Sequence, residues 1–199
     1  MFTSMNYSEY KNLFESILNS KDPMPPYDAA DYLNYTRLNF SRLKRWDKTL
    51  QLDQELVNQL KGLESKQHWI IICEPWCGDA AHVVPFLVRL AEESELVSYE
   101  LQLRDSHPYL IENYLTNGGK SIPKLIVRDE EGKDIFTWGP RPDGAQKLMT
   151  DLKSAGVDFE TIKMELQNWY NRDKGQEIFR ELKELISRVK VEDQPSALL

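Results

Sequence analysis

The sequence predicts an α/β fold: a βαβαββα core carrying helical additions at both ends. Three observations lead there. The run Trp69-Ile70-Ile71-Ile72-Cys73 is short, aromatic and β-branched, as a buried strand requires, and helical spacing follows it at Val84, Leu87, Val88 and Ala91. Val97, Tyr99, Leu101 and Leu103 then alternate with Ser98, Glu100 and Gln102, the period of a strand with one buried face. Finally, the apolar run Lys124-Leu125-Ile126-Val127 meets the turn sequence Asp129-Glu130-Glu131-Gly132, which reads as a hairpin into a strand over 133–138.

From the N-terminus, Tyr7, Tyr10, Phe14, Ile17 and Leu18 form a helical stripe that the proline-rich stretch Lys21 to Pro26 interrupts. Asp28 is placed to cap the next helix, whose apolar face comprises Tyr32, Tyr35, Leu38, Leu43, Trp46 and Leu50. A short third helix starts at Asp53, with Leu56, Val57, Leu60 and Leu63 inward. The strand over 68–73 should end near Cys73, because Pro75 has no ladder donor. A helix over 79–93 joins it to the strand over 97–103, which makes those two strands parallel with a right-handed crossover. A helix is expected over 107–117, stopped by Gly118-Gly119, and another over 142–153. Asp158 can cap the last helical region. Its stripes are Ile162, Leu166, Trp169, Tyr170 and then Phe179, Leu182, Leu185, Ile186, Val189, with Gly175 as the break between them. The tail from Glu192 is expected to be loose. The organisation is thus a helical extension over 1–66, a core domain over 67–154, and a helical extension over 155–199 packed on that core.

Composition narrows the function. The 199 residues carry 25 basic and 32 acidic side chains, a net charge of 25 − 32 = −7, which argues against a nucleic-acid partner. No run is long and apolar enough for a membrane helix, and Met1 to Asn6 lack a basic, apolar leader pattern, so a cytoplasmic protein is expected. With only Cys73 and Cys77 and scattered histidines, neither a disulfide scaffold, a metal site nor a cofactor is expected.

The chemistry concentrates at Trp76-Cys77-Gly78-Asp79. Cys77 sits where a strand hands over to a helix N-terminus, and the exposed N–H groups and dipole there favour a thiolate. Asp79 opposes this with a negative charge. Cys73 reads as a buried strand residue, and an extended Glu74-Pro75-Trp76 link holds it too far from Cys77 for a disulfide. His82 reads as a packing or surface histidine, and Arg104 and Asp105 as a solvated strand end.

Trp-Cys-Gly after a buried strand, Pro85 eight residues beyond Cys77, Ile122-Pro123 opening a later strand, and Gly139 after the final strand occur in an order that resembles the thioredoxin superfamily. Trp-Cys-Gly-Asp is most similar to a group of bacterial thioredoxin-like proteins. The resemblance spans roughly Gln67 to Ser154. It implies a cis Ile122-Pro123 bond facing Cys77, a substrate groove walled by Trp76, and Ile122 backbone groups that pair with an extended substrate. It also implies thiol–disulfide exchange, with Cys77 as nucleophile and Trp76, Gly78, Asp79, Ile122 and Pro123 as the substrate-binding set. Two departures qualify the activity: Ala80 stands where the family has a resolving cysteine, and Ile71 where it has a buried acid. The expectation is therefore single-cysteine exchange on a disulfide-containing protein or low-molecular-weight thiol, with an external thiol releasing the product. The alternative is a binding module for a peptide or protein partner that has lost catalysis.

Overall fold

The computed structural model describes residues 4–192. The tail beyond Glu192 and the Val189 side chain, both assigned from the sequence, lie outside what is described. Three helices, α1 (Tyr7–Asn19), α2 (Ala30–Thr49) and α3 (Gln54–Lys61), precede the core. The core comprises β1 (Gln67–Cys73), α4 (Gly78–Ala91), β2 (Val97–Leu103), β3 (Lys124–Arg128), β4 (Asp134–Trp138) and α5 (Asp143–Ser154). Helices α6 (Phe159–Asp173) and α7 (Gln176–Glu192) follow.

The sheet order is β2-β1-β3-β4. β1 runs parallel to β2 and antiparallel to β3, while β3 and β4 form the expected antiparallel hairpin. With a neighbour on each edge and helices packed on it, β1 has no solvated side. That is why Trp69 to Cys73 form a continuous apolar run and do not alternate. Tyr10 and Phe14 of α1, Leu43 and Trp46 of α2, Ile162 and Tyr170 of α6, and Phe179 and Leu182 of α7 join the residues of β1 and α4 in one buried cluster. The N-terminal extension is also tied to the sheet by a bridge in which the Met5 and Leu101 backbones exchange hydrogen bonds of 2.9 and 2.8 Å.

Local capping accounts for several boundaries. Asn6 and Glu9 form a reciprocal capping box at α1. Asp53 caps α3 through the Leu56 N–H, and Asp158 caps α6 through the Thr161 N–H. Lys174 and Gly175, both at positive φ, separate α6 from α7.

Three expectations are corrected. Asp28 does not cap α2. Turns closed by Tyr27 N–H to Met24 O and Ala29 N–H to Pro26 O carry the chain past it, and the helix starts after Ala29 with no side-chain cap. The buried face of α2 is Thr36, Asn39, Phe40, Leu43 and Trp46, whereas Leu38 is 53% exposed and Tyr32 38%. Asn39 is inward because it has a buried partner, described below. Lastly, no helix forms over 107–117. Pro108 supplies no N–H and Tyr109 adopts a left-handed φ of 58°, so only a 3-10 turn, Leu110–Asn113, survives. Gly118-Gly119 instead belong to a tight turn in which Thr116 and Gly119 exchange backbone bonds of 2.9 and 3.0 Å. The core is therefore βαβββα with that 3-10 turn before β3.

One glycine holds the two loops of the sheet end together. Gly139 has φ 106°, and a Cβ there would collide with the Pro123 carbonyl oxygen. Changing Gly139 to Ala should cost about 2–4 kcal/mol, the sum of a left-handed backbone penalty and overpacking. Urea unfolding measures this, and a loss under 1 kcal/mol would show that the two loops are not held in contact.

Candidate functional site

The site forms where β1 gives way to α4. Glu74-Pro75-Trp76-Cys77 is not the extended link expected from the sequence but a turn closed by the Cys77 N–H donating to Glu74 O at 3.0 Å. The turn draws Cys77 back toward the strand end. Both cysteines are nonetheless free thiols, and both are buried. Pro75 O accepts from Asn39 Nδ2 at 3.0 Å, and Asn39 Oδ1 accepts from Arg42 Nη1 at 2.8 Å. Helix α2 thus holds the turn from outside the core.

Cys77 is the N-cap of α4 and is 8% exposed. Its sulfur makes no capping hydrogen bond, but the nearby N–H groups of Ala80 and Asp79 favour the thiolate. Across from them, the Ile122-Pro123 peptide is cis, and Cys77 Sγ–H donates to Ile122 O at 3.4 Å. The structure therefore brings Cys77 and Ile122 together, but the Ile122 carbonyl, expected to be open to a substrate backbone, is occupied by the thiol. The expectation of a thiol acidified by its helix start is also corrected. Burial, then the nearby Asp79 charge, push Cys77 up to about 12, outweighing the helix N–H groups and Arg141. At neutral pH the sulfur is protonated, which suits its role as donor to Ile122.

The remaining predicted residues fall around this sulfur. Trp76 is half-buried, edge-on to Tyr32 at 5.6 Å, with the Arg104 guanidinium 4.6 Å above its ring. Arg104 is itself held by Asp105 through bonds of 2.8 and 2.6 Å, so this pair borders the site and is not merely a solvated strand end. Gly78 opens α4, and a Cβ there would sit at ordinary contact distance from Arg42. Asp79 turns away toward Arg141 Nη2 at 2.6 Å and accepts from the Tyr170 hydroxyl at 2.8 Å. Pro85 lies inside α4, where it forgoes a backbone bond.

Sequence reasoning missed several participants. Glu74 is 5% exposed; its carboxylate accepts from Asp105 N–H at 3.1 Å and Tyr27 OH at 3.4 Å. Burial pushes its carboxyl up to about 7. Lys124, next to Pro123, is buried with neutral partners, Thr116 Oγ1 at 2.9 Å and Gly139 O at 3.2 Å, and burial lowers its pKa. Arg42, Asn39, Tyr27, Arg141 and Tyr170 come from helices and loops far away in the chain. For Glu74 a signal existed: an acid placed directly between a buried strand and a proline. His82 resolves to packing. Its Nδ1 accepts from Trp46 Nε1 at 2.9 Å, which puts the proton on Nε2, 3.1 Å from Gln167 Oε1. Burial and the Arg42 charge depress it to about 3, so it is neutral. Among the described residues no group of three His, Cys, Asp or Glu side chains could hold a metal ion, and no helix is long and apolar enough to cross a membrane.

Comparison with known proteins places this arrangement. No curated protein matches the chain. Among solved structures, an HIV epitope-scaffold is similar over 92% of this chain and 98% of its own, with 14% identity and a TM-score of 0.51, a likeness of fold. A protein of unknown function from Pseudomonas aeruginosa matches over 86% of this chain and 99% of its own, with 14% identity and a TM-score of 0.46. A family profile described as thioredoxin matches residues 26–153, more than half of the chain, and takes in α2 and α3 as well as the core. With β1, the Cys77 turn, the cis Pro123 loop and Gly139 all inside that stretch, the chain belongs to the thioredoxin family.

Proposed function

We propose that the protein carries out thiol–disulfide exchange through Cys77 alone. The observation that carries this reading is the seat of the Cys77 sulfur: at the start of α4, near the Ala80 and Asp79 N–H groups, and opposite the cis Pro123 loop. Ionised Cys77 attacks one sulfur of a partner disulfide. A Cys77–partner S–S bond forms, the partner's own S–S bond breaks, and its second sulfur leaves as a thiolate that takes a proton from water. Ala80 cannot attack this mixed disulfide, so an external thiol must. Its sulfur bonds to the partner, and Cys77 returns as a thiol. Glutathione or a bacterial low-molecular-weight thiol supplies that step, which suits a reducing cytoplasm. The high proton affinity of Cys77 makes the attack slow at neutral pH.

That same proton affinity, with the sulfur bonded to Ile122 O, favours a second reading: a binding module whose groove around Trp76, Cys77 and Pro123 takes a peptide without reaction. Intact-mass measurement after adding a small aromatic disulfide, with no other thiol present, separates the two. Exchange predicts a mixed disulfide on Cys77 that builds up faster from pH 7 to pH 9 and persists until glutathione is added. Changing Ala80 to Cys should shorten its lifetime. If Cys77 remains unmodified at pH 9 while free glutathione reacts, the binding module replaces the exchange reading.

A further inference from the structure

We infer that Tyr170, on α6 and outside the stretch matched by the family profile, is a positioning residue that sets the reactivity of Cys77 by holding the Asp79 carboxylate. The inference rests on the exchange reading of Cys77.

Asp79 lies two residues from Cys77, and its side chain is only 11% exposed. A free carboxylate so placed would repel a thiolate with little solvent screening. Here both oxygens are engaged: Oδ2 with Arg141 Nη2 at 2.6 Å, and Oδ1 with the Tyr170 hydroxyl at 2.8 Å. The Tyr170 hydroxyl has little freedom. Its ring is buried and stacks on His82 at 4.5 Å and 4°. His82 is pinned by Trp46 on one side and Gln167 on the other. An aromatic stack built from α2, α4 and α6 thus fixes one end of the Asp79 carboxylate, and Arg141 fixes the other.

The other groups that face Cys77 do not replace this device. Tyr10 from α1 and Cys73 from β1 are neutral at pH 7, because burial pushes both above their usual range. Arg104, after β2, is cationic but is paired with Asp105. Arg141 favours the thiolate both directly and by neutralising Asp79. Removing the Tyr170 hydroxyl leaves Oδ1 without its donor, so more of the Asp79 charge is felt at the sulfur.

The test is the rate of Cys77 alkylation by iodoacetamide in the full chain, followed by peptide mapping from pH 7 to 9.5. Tyr170→Phe keeps the ring and its stack, and should slow Cys77 about twofold at every pH. Asp79→Asn should speed it about threefold, the net gain when a thiol pKa falls by about one unit and its nucleophilicity falls with it. Tyr170→Phe added to Asp79→Asn should change nothing further. A Tyr170→Phe rate equal to wild type, or an equal slowing in the Asp79→Asn background, overturns the inference. An alkylatable Cys77 that never forms a mixed disulfide sinks the exchange reading alone. A Cys77 inert in wild type and all variants sinks both.

Discussion

Replacing Glu74 with glutamine is expected to stabilise the protein at pH 8 by on the order of 2–3 kcal/mol. Burial raises the folded-state pKa of Glu74 to about 7, from an unperturbed value of 4.5. Between those values the folded state binds the proton and the unfolded state does not, so stability falls as pH rises. The full cost, about 3 kcal/mol, is reached above pH 7. Glutamine keeps an oxygen for the Asp105 N–H, while its amide can donate to the Tyr27 hydroxyl oxygen, so the variant loses the charge and retains the contacts. Urea unfolding at pH 5 and pH 8 measures the change. An equal effect at both pH values would mean that Glu74 is ionised throughout and that its charge is compensated.

A change at His82 is expected to act the other way, as a loss of stability. Changing it to Ala removes a ring stacked on Tyr170 and leaves the Trp46 N–H with no acceptor. A cavity and an orphaned buried donor together cost about 3–5 kcal/mol. Its titration has the opposite sign to that of Glu74. The folded pKa is depressed to about 3 from 6.5, so the unfolded state binds the extra proton between those values. Stability is therefore fully present above pH 6.5 and is lost as pH falls toward 3. Between pH 4.5 and 6.5 the Glu74 and His82 slopes oppose one another and largely cancel. The Glu74→Gln variant removes the Glu74 slope, and its stability should climb by up to about 2–3 kcal/mol across that interval, less the smaller opposing slopes of the raised Asp173 and Glu181 carboxyls. A level profile in the variant would place the His82 proton elsewhere.

Much of this molecule was legible in its residues. The strand at 97–103 follows from side-chain periodicity, the strand at 124–128 from an apolar run before a turn, the start of α3 from Asp53, and the cap at Asp158 from a carboxylate ahead of an apolar helical stripe. Cys77 at the start of α4 and the break at Gly175 were equally readable, from a strand-to-helix handover and from a glycine between two helical stripes, whereas the cis bond at Pro123 came from the family resemblance and not from the residues alone. The failures have a common form. Over 107–117 Pro108 and a left-handed Tyr109 overrode helical potential. On α2, counting apolar residues placed Leu38 inward, where the structure has Asn39 because Pro75 O needs a donor.

The sequence by itself determined that a cysteine stands at a helix start, and its family resemblance implied a cis-proline loop beside it, with neither a resolving thiol nor a buried acid at that family's positions. Tertiary structure alone decided what that cysteine is. Its proton affinity depends on burial, on the Ile122 carbonyl, and on an Asp79 held by Arg141 and Tyr170, the last of these 91 residues away along the chain. A helix N-terminus acts locally and shows in a motif. Desolvation and charge pairing depend on which distant segments close over the site, and no spacing in the sequence encodes that.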